Sequence, residues 1–158
     1  MKKKILTMLI ALAVSVGGLC ACSGDKNGIE PDVAKIREDI IASVEFPEMV
    51  DSTDKDFNYL YELNSADFES FVSSRAGSGG DADEITIVKV KDEKDTADVK
   101  TAFDKRIESQ KRSYEGYAPI EFEQLQNAVV KVKGKYVILV VSEDSSKAEK
   151  IFDDAFKS

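Results

Sequence analysis

Arg106 and Gln110 lie four residues apart, beside a stripe of Val99, Phe103, Ile107 and Tyr114 that recurs at helical spacing. A guanidinium with an amide one turn away, both at the edge of a core, has two chemical uses. It can receive the carboxylate of a peptide, a glycan or a partner protein through its fork of N–H donors. It can instead close an internal ion pair or hydrogen bond, for which Glu84 or a loop carbonyl is the natural partner. The internal partnership is the expected one. Glu84, Arg106, Gln110 and Tyr117 are therefore carried forward as the candidate polar site, whether they touch a ligand or hold the scaffold.

Other chemistries find less support in the residues. The 158-residue chain has no histidine, which removes the Ser-His-Asp triad, the Cys-His pair and imidazole ligation of zinc, copper or haem. Asp54-Lys55-Asp56-Phe57-Asn58 matches positions 1, 3 and 5 of a calcium-binding EF-hand loop. It fails at Tyr59, where the loop needs glycine, and at Ser65, where it needs a bidentate glutamate. Asp81-Ala82-Asp83-Glu84 reads as a solvated turn running into a strand, with weak cation binding as its functional alternative. No metal or cofactor is expected. Gly77-Ser78-Gly79-Gly80 sits between two strand-like segments, so it lacks the strand-then-helix setting of a phosphate-binding loop. Carboxylates could hydrolyse a glycoside, but such a cleft is usually lined with aromatics, and the chain has no tryptophan. A net charge of −8 and a pI near 4.7 point away from nucleic acid.

The N-terminus carries a different kind of chemistry. Lys2, Lys3 and Lys4 precede an uncharged, mostly apolar run from Ile5 to Leu19, which ends in Leu19-Cys20-Ala21-Cys22. The run is short for a spanning helix, which needs about 20 apolar residues. Its end resembles the lipobox of bacterial lipoproteins, with an aliphatic residue at −3, a small residue at −1 and a thiol to carry diacylglycerol. Cys22 is the expected lipid attachment site, because Cys20 would put Gly17 at the aliphatic position. Residues 1–21 then form a signal peptide. Their removal takes away three lysines and no acidic residue, leaving a mature charge of −11 and no cysteine except the lipidated one. Two or three acyl chains give stable anchoring where one is marginal. The expected location is the extracytoplasmic face of the cell membrane.

Residues 22–30 read as a polar, Gly-containing tether, and 31–158 as one α+β domain. Pro31 suits the first turn of a helix carrying Val33, Ile36, Ile40, Ile41 and Val44 on one face, stopped by Pro47. Residues 51–63 suggest a short helical turn; in 67–75 the spacing of Phe68, Phe71 and Val72 fits a helix while the Ser/Val/Phe content fits a strand, and a strand is the favoured reading. Ala76 to Asp83 is a turn. Ile85 to Lys91 is a strand apolar on both faces. Asp95 or Thr96 caps a long helix reaching about Ser113, and a short helix follows near 121–127. Residues 128–133 and 135–141 form a hairpin about Gly134, whose second strand is apolar without alternation and so is covered on both faces. Ser146 with Glu149 suggests a capping box for a last helix bearing Ile151, Phe152 and Phe156. The sum is about four strands in a mixed or antiparallel sheet, packed by three to four helices.

The runs Gly80 to Lys89, Lys105-Arg106-Ile107-Glu108-Ser109-Gln110, Tyr117-Ala118-Pro119 and Gly134-Lys135-Tyr136-Val137 resemble the domain of unknown function 4358 family, over about residues 32 to 157. The resemblance implies a small lipoprotein of the Gram-positive type, and it implies no activity. The functional expectation is a membrane-anchored, non-catalytic binding or interaction module, its partner an envelope protein, peptide or glycan. A small carboxylate-based surface hydrolase and a structural subunit of an envelope complex are the competing readings.

Overall fold

The computed structural model describes residues 29–157. The expected signal peptide, Cys20, Cys22 and the expected tether as far as residue 28 lie outside them. No helix among the described residues is long and apolar enough to cross a membrane.

Five strands form one wholly antiparallel sheet in the order β1-β2-β3-β5-β4. They are β1 (Met49–Asp51), β2 (Phe68–Ala76), β3 (Glu84–Val90), β4 (Val129–Lys133) and β5 (Tyr136–Val141). The strands β3 and β5 are buried along their whole length; β5 is an unbroken apolar run, whereas β3 buries Glu84, Thr86 and Lys89 among its apolar residues. Helices cover both faces. On one lie α1 (Val33–Ile41) and α5 (Ser145–Asp154), which meet Ile85, Ile87, Ile138 and Val140. On the other lie α2 (Asp54–Tyr61), α3 (Thr96–Tyr114) and α4 (Pro119–Gln126), which meet Val88, Val90, Val137 and Leu139. Alternation along a strand therefore builds two cores from one sheet.

The α+β class and the C-terminal-half hairpin agree with the sequence. The β4–β5 register pairs Lys133 with Tyr136, and Gly134 takes a positive φ of 54° at the turn. Four details differ. A fifth strand, β1, pairs with β2 through only three residues, too few to show a period. The segment after it is a two-turn helix, not a single turn. Thr53 caps that helix by accepting from Asp56 N at 3.2 Å, while the Asp56 carboxylate accepts from Thr53 N at 3.1 Å. The carboxylates that imitate a calcium loop are thus the first turn of a helix. Pro31 stands outside α1, whose cap is Asp32, and the helix ends at Ile41, well before Pro47. Finally, the capping box expected at Ser146 does not form. Asp144 caps α5 by accepting from Lys147 N at 3.0 Å, and Glu149 is held by Lys131 at 2.8 Å.

Candidate functional site

Glu84 opens β3 with its side chain on the α3 side of the sheet, two residues before Thr86 on the same face. It is 1% exposed. A carboxylate this deep needs donors on its oxygens. Arg106, halfway along α3, provides them: Nε lies 3.3 Å from Oε1 and 3.1 Å from Oε2, and Nη2 lies 2.7 Å from Oε2. The Tyr61 hydroxyl donates to Oε1 at 2.6 Å. Tyr61 reaches this point because it ends α2 on the buried face, one turn after Phe57. Its oxygen also shares a hydrogen bond with Thr86 Oγ1 at 2.6 Å, and Thr86 lies 2.8 Å from Ser73 Oγ on β2. The result is a row of polar side chains inside an apolar core, spanning α3, β3, α2 and β2.

Electrostatics follow from this burial. Burial works against the Arg106 charge, but the charge and hydrogen bonds of Glu84 overcome it and hold the pKa above its ordinary value. Burial, and then the Glu84 charge, push the Tyr61 hydroxyl well above the usual phenolic range, so it stays a donor. At Asp83, the residue before Glu84, burial raises the carboxyl pKa to about 6, helped by the charges of Asp81, Glu121 and Glu143.

Beside the ion pair, residues of α2 and α3 line an open cleft of about 490 Å³. Its α3 wall carries Lys105, Ser109 and Arg112, spaced i, i+4 and i+7 on one side of the helix. Tyr59 and Glu62 stand on the α2 side, and Arg106 and Tyr61 complete the lining. Glu62 occupies the left-handed region (φ 55°) where α2 ends. Among the described residues, Lys105 and Arg112 make no ion pair, whereas Lys100 and Lys111 on the same helix are paired with Asp104 and Glu108.

Of the four candidate residues, the structure joins Glu84 to Arg106. Gln110 is buried one turn further along α3, and its Oε1 finds no hydrogen-bond partner among the described residues. Tyr117 stands 77% exposed after α3, with no side-chain hydrogen bond to the pair. Sequence reasoning missed Tyr61 and the cationic wall. The wall had a readable signal, since Lys105, Ser109 and Arg112 repeat at helical spacing beside Arg106. Tyr61 had none, because its partners come from two distant strands. No group of three or more metal-ligating side chains able to hold an ion is found among the described residues.

The fold and site define a small three-layer α+β domain with a buried ion pair beside a cationic cleft. A model of the family described as domain of unknown function (DUF4358) matches residues 42–142, and the chain belongs to that family. The match takes in the ion pair and both walls of the cleft. No curated protein and no solved structure matches the chain.

Proposed function

We propose that this protein is a surface module, held at the extracytoplasmic face of the cell membrane by lipid on Cys22, that binds an envelope ligand without chemically changing it. The observation that carries the binding role is the α2–α3 cleft. It joins cations on α3 that are unpaired among the described residues to a floor fixed by the Arg106–Glu84 pair, and fixed placement lowers the ordering cost of recognition. The Glu84 carboxylate is fully engaged by Arg106 and Tyr61, which suits a positioning role.

The tether fits the same reading. Where the described chain begins, Lys89 Nζ holds Glu30 at 2.8 Å and Glu69 at 2.6 Å, and the Tyr136 hydroxyl donates to Pro31 O at 2.9 Å. Lys89 and Tyr136 lie on the α1–α5 face of the sheet, opposite the cleft. A chain anchored from that side leaves the cleft free to meet a ligand.

Two variants of the full chain test the proposal. Cys22→Ala should lose labelling by radioactive palmitate and accumulate as precursor, while Cys20→Ala matures normally. Ser109→Trp should fill the cleft and abolish retention of the envelope ligand without lowering the melting temperature. Label persisting in Cys22→Ala would refute the anchor, and undiminished retention by Ser109→Trp would refute the cleft.

A further inference from the structure

The charges of the cleft specify what it would hold. Lys105 and Arg112 are exposed on the α3 wall and unpaired among the described residues. Their positions, seven residues apart, are separated by about 10 Å along the helix axis. Both side chains are long enough to converge on a group seated over Ser109, which lies between them along the same side of α3 and also lines the cleft. Arg106 spends Nε and Nη2 on Glu84, and its Nη1 has no hydrogen-bond partner among the described residues. Glu62 opposes these cations from the other wall.

The sum of these groups sets the ligand charge. Arg106 is neutralised by Glu84, and Glu62 offsets one of the two free cations. One positive charge is left. The surrounding protein is strongly acidic, with a net charge of −8 over the full sequence and −11 once residues 1–21 are removed. Its field repels a densely charged polyanion before contact and tolerates a single negative charge on a neutral carrier. The exposed ring of Tyr59, 84% accessible at the rim, offers such a carrier a flat apolar face.

Resting on the binding-module reading, we infer that the α2–α3 cleft is a site for a singly charged oxyanion, a carboxylate or a phosphodiester, borne on an otherwise uncharged molecule. Lys105, Arg112 and the free Nη1 of Arg106 would donate to the oxyanion, and Ser109 would add a neutral hydrogen bond. Charge-assisted hydrogen bonds of this kind outweigh neutral ones by about twofold, so charge should dominate the affinity.

The test uses the full, lipidated chain in detergent micelles, labelled with ¹⁵N and followed by amide shifts at constant ionic strength. Four probes are titrated: glucuronate, its uncharged methyl ester, dimethyl phosphate and the dianion glycerol 1-phosphate. Glucuronate or dimethyl phosphate should give saturable shifts at residues 59–62 and 105–112. The better of the two identifies the source of the oxyanion and should bind about tenfold or more tightly than the ester. The double variant Lys105→Met, Arg112→Met retains much of the side-chain stems and should lose that advantage while melting as the wild type does.

Equal binding of the ester, preference for the dianion, no shift at the cleft with any probe, or an unaffected double variant would each overturn the inference. The wider reading is separable from it. If Ser109→Trp abolishes retention of the envelope ligand while the double variant preserves it, the cleft binds but the anion assignment is wrong.

Discussion

Replacing Arg106 with methionine preserves much of the buried stem and removes the guanidinium. Glu84, 1% exposed, then loses every hydrogen bond from Arg106 and retains only the one from Tyr61 at 2.6 Å. Removing one member of a buried pair costs about 3–5 kcal/mol, because the remaining charge is left unpaired. The Arg106 side chain is 18% exposed, so water can reach part of the gap, and the lower end, about 3 kcal/mol, is expected. A domain of this size has about 5–15 kcal/mol in all. With a urea dependence of about 2 kcal/mol per molar, the unfolding midpoint should fall by about 1.5 M. Glu84→Gln removes the charge that the first variant strands, so adding it to Arg106→Met should recover about 1–3 kcal/mol relative to additivity. A midpoint shift worth less than about 1 kcal/mol, the usual size for surface positions, would refute the scaffold role of Arg106. Additive variants would refute the pairing.

Three further outcomes follow from the geometry. The Asp83 carboxyl titrates near 6 in the fold against an ordinary value of 3.8, so the folded state binds the extra proton and stability falls as pH rises from about 4 to 6. Asp83→Asn should therefore be more stable than wild type by about 2 kcal/mol at pH 7.5 and equal to it near pH 4, which paired urea melts at the two pH values will show. Gln110→Leu removes a buried oxygen that has no partner among the described residues and should be neutral or raise the melting temperature; a drop of several degrees would mean that the amide has a role the contacts do not reveal. Ending the chain at Asp144 deletes α5, with Ala148 and Phe152 buried against the sheet and Phe156 stacked edge-on to Tyr136 at 5.0 Å. At about 1.5–3 kcal/mol for each large apolar side chain, the truncated protein should show no cooperative thermal transition in calorimetry.

The fold was most legible where burial is extreme. Ile85–Lys91 and Tyr136–Val141 are apolar on both faces, and only a sheet covered by helices on both sides accommodates two such strands. Gly134 marked its turn because the hairpin needs φ > 0 there. The misses arose from competition between local partners. Ser146 and Glu149 have the spacing of a capping box, yet Asp144 offers a stronger acceptor to the same helix end, and Lys131 on β4 takes Glu149. Three-residue β1 carries no periodicity and exists through its pairing to β2. The site divides in the same way. Arg106 was visible as a cation at the edge of an apolar stripe, and Glu84 as a carboxylate at the start of a buried strand. Tyr61 belongs to the pair only because α2 folds back across β2 and β3, a relation that no short spacing encodes.

The most direct test of the account asks where the protein meets its ligand in the cell. A photoreactive benzoylphenylalanine in place of Tyr59, a rim position already occupied by an exposed ring, samples the mouth of the cleft in the full chain. The same group in place of Val132, on the β4 edge of the sheet, serves as the control. Irradiation of intact cells should give a covalent adduct with an envelope component from position 59 and not from position 132, and the adduct should disappear when Ser109→Trp is added. Equal adducts from both positions, or none from position 59, would contradict the proposal that the α2–α3 cleft is the binding site.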